Sequence, residues 1–374
     1  MTKLSLLLSI LLLYSSLSFT SQGKTCQILC LQGATDHIPY QAGAIFGLIA
    51  STKPGEASYD IISGTGFAAI NVALMSQFPQ GKEKDMAADL VNFWKAFKTS
   101  NFYRAWLGGP TEGLLIKGGL YNTEPAEEYF NEYLKTDPQR YISIGATNAN
   151  NATYYVFNNF KGKLTKKLLI DAMLGSSAIS GIFPYVIYDN DAVLIDGSIL
   201  KNLDIASAVY QCQKMGFNES DIYIDIVLTT TKDWGGVNIT GDNKKALDML
   251  LIEHSFNNYQ MTNFDIVKAQ WDYPGVNFRY LVSPSKRLPR SWRPLRYSKK
   301  EKVNMIALGI NDAFQAVQRG QGVDWNEQVT ASYEHLEERF GSKAPPPGYI
   351  NKKIRDSLKK SKTKPEDNIE VIDL

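Results

Sequence analysis

The stretch SGTGFAAIN, Ser63 to Asn71, constrains the fold more than any other part of the chain. It continues the β-rich run YDIIS (Tyr59 to Ser63) and leads into small and apolar residues that suit a helix from about Phe67. A strand that passes through Gly-Thr-Gly into a helix turns too sharply for most side chains, and Gly66 supplies the backbone freedom. The same rhythm occurs one element earlier, where TCQILCL (Thr25 to Leu31) precedes a loop and the helical pattern YQAGAIFGLIAS from Tyr40. Two strand–helix units in succession predict an α/β chain with a mostly parallel central sheet covered by helices.

The rest of the chain continues that alternation. MAADLVNFWKAF and EPAEEYFNEYL have amphipathic helical spacing, and RYISIGAT and TYYVF read as strands around the Asn-rich turn at Asn148 to Asn151. KKLLIDAMLGSSA is helical, AVLID is a strand, LDIASAVYQCQKMGF is a helix and DIYIDIVLTT is a strand. Further helices are expected at about Lys244 to Asn263 and at Lys299 to Arg319. The second of these places Val303, Ile306, Ile310, Phe314 and Val317 on one face, read as core packing. With 374 residues and 44% hydrophobic content, the chain can bury a large core. The expected organisation is one α/β domain over 24–320, a C-terminal helix over 321–343, and a disordered charged tail over 344–374, where KAPPPGY opens a Pro- and charge-rich segment.

Lys3 and the apolar run Leu4 to Leu13, followed by small polar residues, predict a secretory signal peptide over 1–23. The alternative, a retained signal anchor, is opposed by a run shorter than the roughly 20 residues that a span needs. The sequons at Asn151, Asn218 and Asn238 fit the same route, and the expected location is secreted or the lumen of the secretory pathway. Cys26 and Cys30 fall on one strand, about 13 Å apart at strand rise, which is beyond disulfide reach. The three cysteines are therefore read as buried thiols without a disulfide framework. With His37, His254 and His335 as the only histidines, no metal or other cofactor is expected. A net charge of +2 gives no reason to expect a nucleic-acid partner.

Four ordered segments resemble the patatin-like phospholipase family: LQGATDHIPYQAGAIFGL, YDIISGTGFAAIN, SSAISGIFPYV and LIDGSILKNLDIASAV. The resemblance implies a three-layer α/β architecture and a Ser-Asp dyad that hydrolyses lipid acyl esters without histidine or metal. Asp196 matches the dyad acid, although a turn aspartate beside Gly197 reads equally well. The nucleophile position is Gly66, which has no side-chain oxygen. In the oxyanion loop the family's glycines fall at Gly33, Ala34, Thr35 and Ile38, with His37 at its basic position; only the first is glycine here. Loss of a serine nucleophile costs on the order of 10⁶ in turnover, and loss of an oxyanion donor about 10² to 10³. The expectation is a catalytically inactive homologue that binds lipid or a protein partner. The alternative is a divergent lipid acyl hydrolase with another nucleophile, for which Ser176 and Ser177 are candidates.

The segment KRLPRSWRPLRYSKKEK, Lys286 to Lys302, sets eight basic residues against Glu301 and interleaves them with Leu288, Trp292, Leu295 and Tyr297. As a solvated loop and helix start it needs no ligand. As a lipid-surface contact it would use Trp292 with Arg290, Arg293 and Arg296.

Overall fold

A computed structural model describes residues 24–340, apart from 34–36, 161, 189–191, 233–244 and 290–292. The expected signal peptide, the tail and the sequon at Asn238 lie outside the described residues. Strand β1 (Cys26–Leu31) continues through a loop into the helix Ile38–Ser51, and β2 (Ile61–Thr65) turns at Gly66 into the helix Ala68–Met75. Strands β5 (Tyr141–Asn148), β9 (Ile222–Val227) and β10 (Asn277–Val282) complete the parallel part of the sheet, in the order β10-β9-β1-β2-β5. Beyond β5 the sheet becomes antiparallel through β6 (Thr153–Asn158), β8 (Val193–Ile195) and β7 (Val186–Ile187), giving eight strands among the described residues.

Alternate residues of β1 enter different layers: Leu29 and Leu31 join one core, and Cys26, Ile28 and Cys30 join the other. This is the both-sides-buried pattern of a parallel sheet. The first layer is built on helices Ile38–Ser51, Ala68–Met75, Glu83–Ala96, Lys166–Ser176 and Lys299–Arg319. The second is built on Ile205–Lys214, Ala246–Asp272 and Val323–Phe340. The mostly parallel, three-layer α/β architecture expected from the sequence is therefore present.

One expectation fails and another holds in part. Cys26 is bridged to Cys212 across 186 residues, with Cα atoms 6.0 Å apart; only Cys30 remains a free, buried thiol. The in-strand distance rightly separates Cys26 from Cys30, but the helix Ile205–Lys214 packs on their face of β1 and delivers the third cysteine. In the helix Lys299–Arg319, Ile306 is buried and Ile310 and Val317 pack against the core as expected, but Val303 and Phe314 are 38% and 46% exposed, while Met305, Gly309, Ala313 and Ala316 are buried. The cause is close helix contact. A Cβ on Gly309 would lie 2.3 Å from the Tyr40 carbonyl oxygen, and one on Gly43 would meet the Ile306 backbone. Small residues, not the bulkiest ones, face the partner helix. The segment's basic start is fixed by a capping box between Ser298 and Glu301.

Candidate functional site

The turn after β2 keeps the geometry of a nucleophile elbow. Gly66 has φ +56°, a left-handed conformation that strains residues with side chains. A Cβ placed there would sit 3.2 Å from Asp196 Oδ1, 3.5 Å from Gly33 Cα and 3.7 Å from Ser198 Cβ. A side chain at this position would thus point directly at the carboxylate. The neighbouring hydroxyls do not: Ser63 Oγ donates to the Asp204 carbonyl at 2.9 Å and Thr65 Oγ1 to the Gly145 carbonyl at 3.2 Å. Ser176 and Ser177 are likewise committed to the Gly145 and Met173 carbonyls, at 2.6 and 2.8 Å. Phe67 turns inward and packs its ring on Phe102 and Phe183, at centroid distances of 5.6 and 6.0 Å.

Asp196 follows β8 and caps the short 3₁₀ turn Gly197–Ile199, its Oδ1 accepting from Ser198 N at 2.9 Å. It is fully buried, held by its own N–H to Ala178 and by Thr147 Oγ1 on its carbonyl. Burial pushes its carboxyl up from the usual range, opposed by the neighbouring His254 and by the Ser198 amide. The turn role and the facing of the elbow are both realised in one residue.

Two side chains missed in the sequence reading join this carboxylate. His254, from the helix Ala246–Asp272, brings Nε2 to 3.4 Å from Asp196 Oδ2, and Asn258 Nδ2 lies 3.2 Å from the same ring nitrogen. Ser198 is buried with no hydrogen-bond partner for its hydroxyl, beside both Gly33 and Gly66. The serine two residues after Asp196 in LIDGS was the available signal for Ser198. Nothing local marked His254, because its helix reaches the site from far along the chain. A cavity of about 410 Å³ opens beside this cluster, with Ile199, His254, Asn258, Met261, Phe264 and Leu336 in its wall.

The oxyanion-loop positions separate. Gly33 lies against the elbow, but its N–H donates to the Asn202 carbonyl at 2.7 Å, and a Cβ there would strike Asn202 Oδ1 at 2.2 Å. Ala34 and Thr35 lie outside the described residues. Ile38 is not a loop residue: it is the first residue of its helix, fully buried, its carbonyl accepting from Asn71 Nδ2 at 3.3 Å. His37 precedes it, its Nε2 3.0 Å from the Pro289 carbonyl. Arg290 and Trp292 lie outside the described residues, whereas Arg293 stands 6.0 Å from the Tyr121 ring and Arg296 is exposed. Neither arginine belongs to the elbow cluster.

A mostly parallel α/β sheet thus carries a left-handed turn that faces a buried carboxylate. The sequence profile described as Patatin-like phospholipase matches residues 29–209, and this part of the chain carries a patatin-like phospholipase domain. Among solved structures, VipD from Legionella pneumophila is similar at 10% identity and a TM-score of 0.41, over 90% of this chain and 79% of that one. No curated protein matches the chain.

The retained turn geometry makes a definite prediction for Gly66→Ser. The variant should lose about 1–3 kcal/mol, the strain of a side chain at positive φ, read as a lower thermal midpoint. Ester turnover should stay at background, because the Gly33 N–H is already bonded to Asn202. Robust turnover by this single variant would show that the oxyanion loop is competent as it stands.

Proposed function

We propose that the chain is a secretory-pathway, patatin-like lipid-binding protein in which the family's elbow-serine hydrolysis has been lost. The observation that carries this reading is Gly66 itself: the turn still aims at Asp196, 3.2 Å from where a Cβ would be, but holds no atom that can attack an ester. The cavity beside His254, walled by Ile199, Met261, Phe264 and Leu336, supports an acyl chain as the ligand. The Cys26–Cys212 bridge, the exposed asparagines Asn151 and Asn218 and the apolar N-terminal run support an oxidising route. No helix among the described residues is long and apolar enough to cross a membrane.

A second reading, a divergent hydrolase, is favoured by one observation. The unpaired Ser198 hydroxyl sits beside the place left empty at Gly66 and next to Asp196. Fluorophosphonate labelling and phospholipid hydrolysis by the purified protein separate the two. The expected result is no labelling and no turnover, with a fluorescent fatty acid still bound. Labelling that disappears in Ser198→Ala and survives in Ser176→Ala would replace the first reading with the second.

A further inference from the structure

Residues 106–120 form an excursion on a two-stranded stem, β3 (Arg104–Ala105) paired antiparallel with β4 (Tyr121–Asn122). Its tip is the short helix Gly109–Leu115, and its aliphatic side chains face water. Leu107, Leu115 and Ile116 are 107%, 78% and 76% exposed, and Leu114 is more than half exposed. Single exposed leucines are ordinary; four in ten residues on one projection are not.

Several polar groups of this projection are bonded within it. Glu112 accepts from Gly108 N at 2.7 Å and lies 4.0 Å from Lys117 Nζ. Trp106 Nε1 donates to the Gly119 carbonyl at 2.9 Å, Gly109 N to the Trp106 carbonyl and Gly119 N to the Gly113 carbonyl. Lys117 Nζ stands 5.5 Å from the Trp106 ring. What dominates the exposed tip is aliphatic hydrocarbon, which suits an acyl phase better than a polar protein surface.

Cations stand at its base. Arg293 lies over the Tyr121 ring of the stem, and Arg296 is exposed close by; burial raises the Tyr121 hydroxyl's pKa while both guanidinium charges pull it down. Aliphatic side chains on the projection, with Lys117 beside them and Arg293 and Arg296 near its stem, combine the two chemistries of an anionic bilayer surface, hydrocarbon and phosphate charge.

The projection also connects to the elbow. Gly119 bridges Gly181, Leu120 N donates to the Gly181 carbonyl and Tyr121 N to the Ile182 carbonyl. The same segment carries Phe183, which packs on Phe67, and Ala178, whose carbonyl accepts from Asp196 N at 3.0 Å. Exposed Tyr185 and Ile187 continue the apolar face, the Tyr185 ring lying against Gly118. Leu250, one turn before His254 on its helix, is the side chain nearest to Gly181.

We propose that the 106–120 projection, with Tyr185 and Ile187, is a membrane-docking face that seats on an anionic lipid surface through Leu107, Leu114, Leu115 and Ile116, with Lys117, Arg293 and Arg296 at the headgroups. This face is independent of whether the elbow cluster is catalytic.

The test is co-sedimentation of the purified protein with vesicles of phosphatidylcholine alone and of phosphatidylcholine mixed with phosphatidylserine. Binding should be stronger to the mixed vesicles and weaken with added salt, since exposed charges are screened over about 10 Å at 0.1 M. Leu115→Ser/Ile116→Ser should lower the partition coefficient by at least about tenfold with an unchanged thermal midpoint, because neither side chain is buried. Lys117→Gln/Arg296→Gln should remove the preference for phosphatidylserine. Equal binding by the Leu115/Ile116 double variant would overturn the proposal. So would wild-type protein that ignores both vesicles and instead self-associates in sedimentation velocity, with the double variant monomeric. Loss of vesicle binding with fatty-acid binding retained separates this face from the cavity beside His254.

Discussion

Arg279→Met is expected to cost about 3–5 kcal/mol, the penalty for leaving a buried charge without its partner. Arg279 clasps Asp225 with two parallel bonds, Nε to Oδ1 at 2.9 Å and Nη2 to Oδ2 at 2.6 Å, and both side chains are buried. The register between β9 and β10 slips at this point, pairing Phe278 with Ile224 and Tyr280 with Asp225, which leaves Arg279 in the bulge. Tyr59, just before β2, donates its hydroxyl to Asp225 Oδ2 at 2.8 Å. The cluster thus joins the far edge of the sheet to the strand that ends at Gly66. Methionine keeps much of the stem's packing but supplies no donor.

The pH dependence follows from burial, which pushes the Asp225 carboxyl up while the arginine opposes it. In Arg279→Met that opposition is gone. A carboxyl whose folded pKa lies above its unfolded value, about 3.9, contributes stability that is fully present at lower pH and is lost as pH rises through the folded value. The deficit of the variant should therefore shrink on acidification, and Asp225→Asn/Arg279→Met should recover part of the loss at neutral pH. Urea unfolding of the three proteins at acidic and neutral pH measures both effects. A deficit below 1 kcal/mol or one that grows on acidification would contradict this account of the cluster.

The sequence made β1 and β2 at the sheet's centre legible because each is a local β-rich run with a helix soon after it. The elbow was legible for the same reason: strand, Gly-Thr-Gly and helix are contiguous, so Gly66 is placed by local sequence alone. Asp196 could be placed by its neighbours in LIDGS. The remainder depends on contacts that no window contains. His254 reaches Asp196 only because a 27-residue helix crosses the second face of the sheet. Cys212 reaches Cys26 only because its helix lies along β1. The buried side of Lys299–Arg319 was legible at Ile306, Ile310 and Val317 but not at Val303 and Phe314, because apolar bulk marks a core face only where the partner is distant; here Gly43 and Gly309 bring two backbones together, and those two side chains are left outside. Ile38 was assigned to a loop by counting glycine positions, whereas the preceding His37 already ends that loop and Pro39 suits a helix's first turn.

Removing the Cys26–Cys212 bridge is expected to destabilise the fold by about 2–5 kcal/mol. The size follows from the 186-residue separation of the two cysteines. In the chain-entropy description, closing so long a loop takes about 5 kcal/mol of conformational freedom from the unfolded chain, and native relaxation reduces what is realised. The bridge fixes the helix Ile205–Lys214 to β1, and that helix begins at Asp204, whose carbonyl holds the Ser63 hydroxyl at 2.9 Å near the end of β2. Its loss should therefore loosen the elbow's surroundings as well as lower the midpoint. Cys26→Ala/Cys212→Ala is the clean variant, because it leaves no new thiol; Cys30 is buried, and burial raises its thiol pKa well above the usual value, which keeps it unreactive in both proteins. Urea unfolding of the wild type with and without reductant, beside the double variant, checks the size. Reduced wild type and the variant should coincide at the lower midpoint. If reductant leaves the wild-type midpoint unchanged while thiol titration shows three free cysteines in the unfolded protein before reduction, the bridge does not form, and the support it gives to an oxidising compartment is withdrawn with it.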